Sequence, residues 1–197
     1  MTPDVPLVLA SASPRRVELM REAGYIVEVL VPDVEEIHDE SLSCEALTVA
    51  NARLKALAVA PLRPEALVIA ADTLVYLDGK PIGKPQDMEE AAEFLRRLSG
   101  RVHQVCTGVV LAALGGTAMG SFHVVSYVKF KKLTDEVIRD YHSRIQPLDK
   151  AGAYAVQDES TMIIEEVEGS WSNVKGLPME RLAEALELYT AALRDLP

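Results

Sequence analysis

Leu7-Val-Leu-Ala-Ser-Ala-Ser-Pro-Arg-Arg-Val-Glu-Leu-Met20 reads as a short apolar strand, a serine-rich turn and the start of a helix. Ser13 is a natural N-cap, and Pro14 suits the first helical position, where a missing N–H costs nothing. That places Arg15 and Arg16 in the first turn, against unpaired N–H groups and the positive end of the helix dipole. The chain does the opposite elsewhere: the helices expected after Asp87 and Thr134 put acids in their first turns. A local rule broken once points to a functional site. A bound anion, phosphate first among the candidates, would compensate through helix N–H groups, the hydroxyls of Ser11 and Ser13, and two guanidinium forks. The alternative is that both arginines reach into water or pair with surface carboxylates.

Outward from this segment, strands and helices alternate. Residues 25–31 look extended and lead into an acidic loop, Asp33-Val-Glu-Glu36. Helical spacing over residues 43–59 turns Ala46, Val49, Ala50, Leu54 and Leu57 inward, and Pro61 and Pro64 close that helix. Leu67–Leu77 is an apolar strand, followed by the turn Asp78-Gly79 and a loop over residues 80–85. Asp87 and Glu90 form a capping box for a helix with a stripe of Met88, Ala91, Ala92, Leu95 and Leu98. Residues 104–128 make a hairpin closed near Gly115-Gly116, with Phe122, Val124, Val128 and Phe130 on one face. A helix from Thr134 points Val137, Ile138 and Tyr141 inward, and residues 152–157 and 161–167 read as short strands. Pro178 opens a last helix with Leu182, Ala185, Leu186, Tyr189 and Leu193 on one side. Crossovers together with a hairpin imply an α/β fold with a mixed sheet, and no long linker divides the chain, so residues 1–197 are expected to be a single domain.

The 197 residues are 49% hydrophobic and 25% charged, an ordinary globular composition. A net charge of −10 disfavours nucleic-acid polymers and membrane surfaces as partners, though not a small polyanion met by locally gathered cations. Cys44 and Cys106 lack metal-type spacing and suggest buried free thiols in a reducing compartment. No basic region precedes the first apolar run, so no signal peptide is expected. Residues 104–128 carry no formal charge, but their glycines, hydroxyls and alternation indicate the hairpin rather than a membrane helix. A cytoplasmic location follows as the expectation.

Asp72 lies inside the most apolar strand and must be paired with a cation, a metal or donors. It is either a metal ligand or general base, or an acid at a strand end capped by loop N–H groups. Thr73 points to the opposite face of an ideal strand, although a bulge or strand end would present both. Lys84 between Gly83 and Pro85, and Lys55 on a helix, are weak signals by themselves. Glu35 and Glu36 form either a plain acidic loop or oxygen ligands for Mg²⁺. His103 reads as a boundary residue without a nucleophile partner, and neither a P-loop nor a dinucleotide fingerprint occurs.

Taken together, the segments resemble the Maf family of nucleoside triphosphate pyrophosphatases. The matching pieces are Leu9-Ala-Ser-Ala-Ser-Pro-Arg-Arg16, Ala71-Asp-Thr73, Gly83-Lys-Pro85, His103-Gln-Val-Cys-Thr-Gly108, Asp149-Lys-Ala-Gly-Ala-Tyr154 with Gln157, and Gly176-Leu-Pro178. The resemblance implies a strongly twisted mixed sheet flanked by helices, in two lobes around a cleft. It implies metal-dependent hydrolysis between the α- and β-phosphates, with Mg²⁺ or Mn²⁺ held by Glu36 and Asp72. By the same resemblance Asp72 is the proton acceptor and Glu36 the cleft carboxylate. Arg15, Arg16, Lys55 and Lys84 handle phosphate beside Ser11 and Ser13. Arg15, Thr73 and Gln157 match the branch acting on dTTP and UTP, and an amide such as Gln157 can both donate to and accept from a pyrimidine edge. Two departures stand out: Asp158 where the family usually has glycine, and Lys175 where it has valine. Lys175 is either a surface change or an added phosphate contact. The expected partner is the nucleotide, with a homodimer as in some relatives. The alternative functions are a nucleotide-binding regulator of septum formation and a pyrophosphatase for other nucleotides such as inosine triphosphate.

Overall fold

The unbroken apolar run before Asp72 makes Leu67–Leu77 the central strand, buried along almost its whole length. The computed structural model describes residues 5–39, 41–157 and 159–194, with Arg194 by its backbone alone; Asp158 lies outside them. In chain order the elements begin with β1 (Leu7–Ala10), α1 (Pro14–Glu22), β2 (Val27–Leu30), α2 (Cys44–Val59), β3 (Leu67–Leu77), β4 (Lys80–Ile82) and α3 (Met88–Leu98). There follow β5 (Val102–Ala113), β6 (Ala118–Phe130), α4 (Asp135–Arg144), α5 (Ser160–Ile163), β7 (Ile164–Glu168), α6 (Trp171–Lys175) and α7 (Met179–Arg194). Among the described residues the strands form one seven-stranded mixed sheet, ordered β2-β1-β3-β5-β6-β7 with β4 added to β3. Both β2 and β3 run parallel to β1, while β5, β6 and β7 continue the sheet antiparallel.

One edge of β3 is interrupted. Pairing with β1 stops at Ala10↔Ala70, and pairing with β4 starts at Val75↔Ile82. The other edge is fully occupied by β5 from Val68 to Tyr76. Residues 71–74 therefore have no strand partner on the first side, and Asp72 and Thr73 sit in the middle of that gap. An open α/β sheet binds ligands outside the carboxyl ends of its parallel strands, and the gap lies just beyond the end of β1. This is how two residues on opposite faces of one strand come to border the same space.

The cores follow the alternation of β3. Leu67, Ile69 and Ala71 pack with α1 and α7 through Leu19, Met20, Leu182 and Leu186. Val75 and Leu77 on the same face pack with α3 and α4 through Leu95, Leu98 and Ile138. Thr73 stands where these two cores part. On the other face Val68 and Ala70 lie under Ala52, Ala56 and Val59 of α2.

Several local expectations change. The stripe Ala46, Val49, Ala50, Leu54 and Leu57 is not the buried face of α2; Cys44, Leu47, Thr48, Asn51, Ala52, Lys55, Ala56 and Val59 are. The reason is close approach. Gly108, the register partner of Asp72, has no side chain, and a Cβ there would fall 2.5 Å from the Thr48 carbonyl carbon. Small and polar residues fill so narrow an interface better than Leu57, which is 42% exposed. Residues 80–82 are a strand rather than loop, closed by Asp78 and Gly79, both at positive φ. Residues 152–157 are not a strand: a 3₁₀ turn covers Ala151–Ala153, and irregular chain follows. Residues 160–163 form the short helix α5 before β7 begins. Phe94 replaces Met88 in the buried stripe of α3. Ser13 occupies the N-cap position but makes no side-chain cap bond. Cys44 and Cys106 are free and buried; burial first, then the neighbouring thiol, pushes Cys44 up to about 12. No helix among the described residues is long and apolar enough to cross a membrane.

Candidate active site

Asp72 faces α2 because its neighbour across the ladder is Gly108, which lets that helix close down on the sheet. Lys55 Nζ then lies 2.7 Å from Asp72 Oδ1 and 2.7 Å from Glu36 Oε1. The cation that a buried strand aspartate requires is thus Lys55, with its side chain only 10% exposed. Asn51, one turn earlier, donates from Nδ2 to Asp72 Oδ2 at 3.4 Å and to the Ile37 carbonyl at 3.2 Å. Its Oδ1 accepts from the Ile37 N–H at 2.7 Å, so one amide pins the acidic loop beside the strand. Burial pushes the Glu36 carboxyl up, but the hydrogen bond and charge of Lys55, then Lys84 and His38, outweigh it and hold it below the usual carboxylate range.

The opposite face of the gap carries the arginines. Arg16 is buried, and its guanidinium donates to the Gly176 carbonyl at 2.8 Å, Thr73 Oγ1 at 3.0 Å and Ser11 Oγ at 3.3 Å. That uses three of the five N–H donors of an arginine and fixes the plane of the fork. Thr73 also meets Thr107 Oγ1 at 2.9 Å, its register partner on β5. Arg15 takes the other route and pairs with Asp149 at 3.3 Å. Arg15 thus has a surface carboxylate partner, whereas Arg16 is held inside by neutral acceptors, and both line the same cleft. The Ser13 N–H donates to Ser11 Oγ at 3.1 Å, which ties the turn together.

One cleft of about 800 Å³ brings these groups together. It reaches Ser11, Ser13, Arg15, Arg16, Glu36, Lys55, Asp72, Thr73, Lys84 and Gln157, every site residue expected from sequence. Lys84 is exposed on its wall, and among the described residues no carboxylate lies within ion-pair distance of it. Gln157 is exposed at the rim. Glu35, by contrast, is not a cleft residue. Lys175 lines the cleft but its ammonium is taken by Glu18 at 3.0 Å and Glu22 at 3.3 Å, which docks α6 on α1.

Sequence reasoning missed the parts that steady this cleft. Asn51 looked like any polar helix residue, and α6, a single turn ending at Gly176 with φ 119°, had no periodicity to read. His103 stands at the start of β5, as expected, but it is buried: burial pushes it down to about 3, and its Nε2 lies 2.7 Å from the Tyr154 hydroxyl. His142 Nε2 meets the Ala153 carbonyl at 3.2 Å, and the Tyr141 hydroxyl bonds both the carbonyl and the N–H of Ala155, at 3.1 and 3.0 Å. Three consecutive residues before Gln157 are therefore anchored by buried rings. The Gly152 N–H donates to the Gly83 carbonyl at 3.0 Å, joining this segment to the one carrying Lys84.

The donors fit a hard divalent cation. Asp72 and Glu36 are two carboxylates held by one ammonium on the floor of the cleft. Mg²⁺ is usually bound through one or two carboxylates, with substrate phosphates and water completing the shell. Among the described residues no group of three or more His, Cys, Asp or Glu side chains could hold a metal alone. Nucleotide oxygens would have to supply the rest.

Fold and site together define an α/β protein with a polar cleft between two cores, where both signs of charge meet across the central strand. Residues 6–189 match the family described as Maf-like protein, and the chain belongs to that family. It is similar to a dTTP/UTP pyrophosphatase of Akkermansia muciniphila, 44% identical over 181 residues, covering 92% of this chain and 95% of the relative. The dTTP/UTP pyrophosphatase of Desulforamulus reducens is 43% identical over 184 residues, covering 93% and 96%. That of Clostridioides difficile is 39% identical over 183 residues, covering 93% and 94%.

Proposed function

We propose that this protein hydrolyses nucleoside triphosphates between the α- and β-phosphates, releasing a nucleoside monophosphate and pyrophosphate, with dTTP and UTP preferred. It would serve as a cytoplasmic house-cleaning enzyme of the nucleotide pool. The observation that carries the proposal is the juxtaposition across residues 72 and 73: a lysine-bridged carboxylate pair on one side and a locked guanidinium on the other. The names of the similar proteins support the substrate class.

Arg15, Arg16, Lys84 and the positive N-terminal end of α1 bind the triphosphate, and the Ser11 and Ser13 hydroxyls border it. Asp72 accepts the proton of the attacking water as the oxygen bonds to the α-phosphorus. The bond from the α-phosphorus to the bridging oxygen breaks, and its electron pair leaves with pyrophosphate. The cationic wall stabilises that departing charge. Glu36 and Asp72 would hold Mg²⁺ or Mn²⁺, which when bound supplies Lewis-acid stabilisation of phosphate oxygens. Lys55 partly neutralises the two carboxylates, and Gln157 reads the pyrimidine edge by donating and accepting at once.

The test is a panel of canonical and modified triphosphates with Mg²⁺ or Mn²⁺, assayed separately for pyrophosphate and orthophosphate. Pyrophosphate should be the first product, with dTTP and UTP favoured over purine triphosphates by about tenfold or more. Orthophosphate appearing first would put attack at the γ-phosphorus and refute the bond choice. Faster turnover of inosine triphosphate would refute the pyrimidine preference.

The anchored segment makes a second prediction. Tyr141→Phe strips both polar groups of Ala155 of their hydroxyl partner, two residues from Gln157. Losing a buried hydrogen bond worth ~1 kcal/mol should raise KM for dTTP about fivefold, with kcal-scale loss of stability and little change in kcat. Steady-state kinetics check it; an equal fall in kcat would place the effect on the chemistry instead.

A further inference from the structure

Lys55 is the pivot of the cleft floor. One ammonium lies 2.7 Å from an oxygen of each of two carboxylates, reaching them from the buried face of α2. These are the carboxylates assigned above to the divalent cation, and the inference rests on that assignment. The trio carries a net charge of −1. A free divalent ion approaching it meets a pair already half neutralised, and it must share those oxygens with a resident cation at short range. A triphosphate changes the balance, because it brings several negative charges and the remaining oxygen ligands.

We propose that Lys55 acts as a resident counter-cation that keeps the Asp72–Glu36 pair a poor metal site until a nucleotide arrives, so that the metal enters with the triphosphate rather than ahead of it. The arrangement does not depend on Lys55 to hold its shape. Asn51 bonds the acidic loop through both N–H and carbonyl of Ile37 and reaches Asp72 independently. Removing the ammonium therefore leaves two carboxylates in place with no counter-charge, which is a better cation site.

The experiment measures Mn²⁺ binding by electron paramagnetic resonance and calorimetry on the full chain, without nucleotide and with a non-hydrolysable α,β-methylene triphosphate. Lys55→Met should bind Mn²⁺ in the absence of nucleotide about tenfold or more tighter than the unmodified protein. Lys55→Arg, which keeps the charge, should stay within about twofold of it. The unmodified protein should gain its Mn²⁺ affinity only when the analogue is present. If Lys55→Met is too unstable to assay, Lys55→Gln serves, and its melting temperature should rise with Mn²⁺ more than that of the unmodified protein. Equal or weaker Mn²⁺ binding by the neutral variants overturns the counter-cation role alone. Failure of the unmodified protein to bind Mn²⁺ with the analogue present overturns the metal assignment, and the proposal with it.

Discussion

Replacing Asp72 with asparagine should lower pyrophosphate release about 10³-fold, within the range lost with a general base, while nucleotide binding largely survives. The amide keeps the size of the carboxyl group, and its oxygen can still accept from Lys55. Lys55 retains Glu36 at 2.7 Å, so no buried cation is left without an anion. Neither the register with Gly108 nor the packing of α2 is disturbed, and the change in stability should stay within about 1 kcal/mol. Of the groups proposed to grip the triphosphate, Arg16 is on the far side of the strand, held by Gly176, Thr73 and Ser11. Calorimetry with the α,β-methylene analogue should therefore give an affinity within a few-fold of the unmodified protein, while single-turnover rates collapse. A loss of activity below about tenfold would remove Asp72 from the role of proton acceptor. The same variant also separates catalysis from regulation: a division phenotype that persists with it would be independent of turnover.

How much of this could be read in advance depended on the range of the interaction. The turn from Leu7 to Met20 was legible because strand, cap position, proline and misplaced arginines are neighbours in sequence. β3 announced its own limits through an apolar run ending at Asp78-Gly79, and the long hairpin through alternation on either side of Gly115-Gly116. The face of α2 was not legible, because what decides it is Gly108, some 50–60 residues away and recognisable only once the helix lies against it. Lys55 is a lone lysine until the fold brings it between Glu36 and Asp72. The segment 152–157 has the composition of a strand, yet Gly152 and Ala153 at φ 71° and 60° turn it, and three buried rings hold it there. Arg15 and Arg16 are adjacent letters with different fates, since one reaches Asp149 in the turn after α4 and the other the carbonyl of Gly176, which caps α6.

Gly108→Ala should take stability and activity down together. Its Cβ would point at the backbone of α2, falling 2.5 Å from the Thr48 carbonyl carbon and 2.8 Å from its oxygen. Backbone cannot rotate away as a side-chain tip can, so the helix as a whole must lift from the sheet. Overpacking of this kind costs about 3 kcal/mol or more when the neighbour is rigid. For a chain of this size that corresponds to a fall of about 6–12 °C in melting temperature. The helix that lifts is the one carrying Asn51 and Lys55, and a displacement near 1 Å in a positioning group costs about 10²-fold in rate. Gly83→Ala is the control, because a Cβ there meets nothing within 4 Å, and its melting temperature should stay within about 2 °C. Scanning calorimetry and pyrophosphate release on the two variants check both halves. If Gly108→Ala melts like the unmodified protein, α2 does not bear directly on the strand, and the account of how Lys55 reaches Asp72 fails with it.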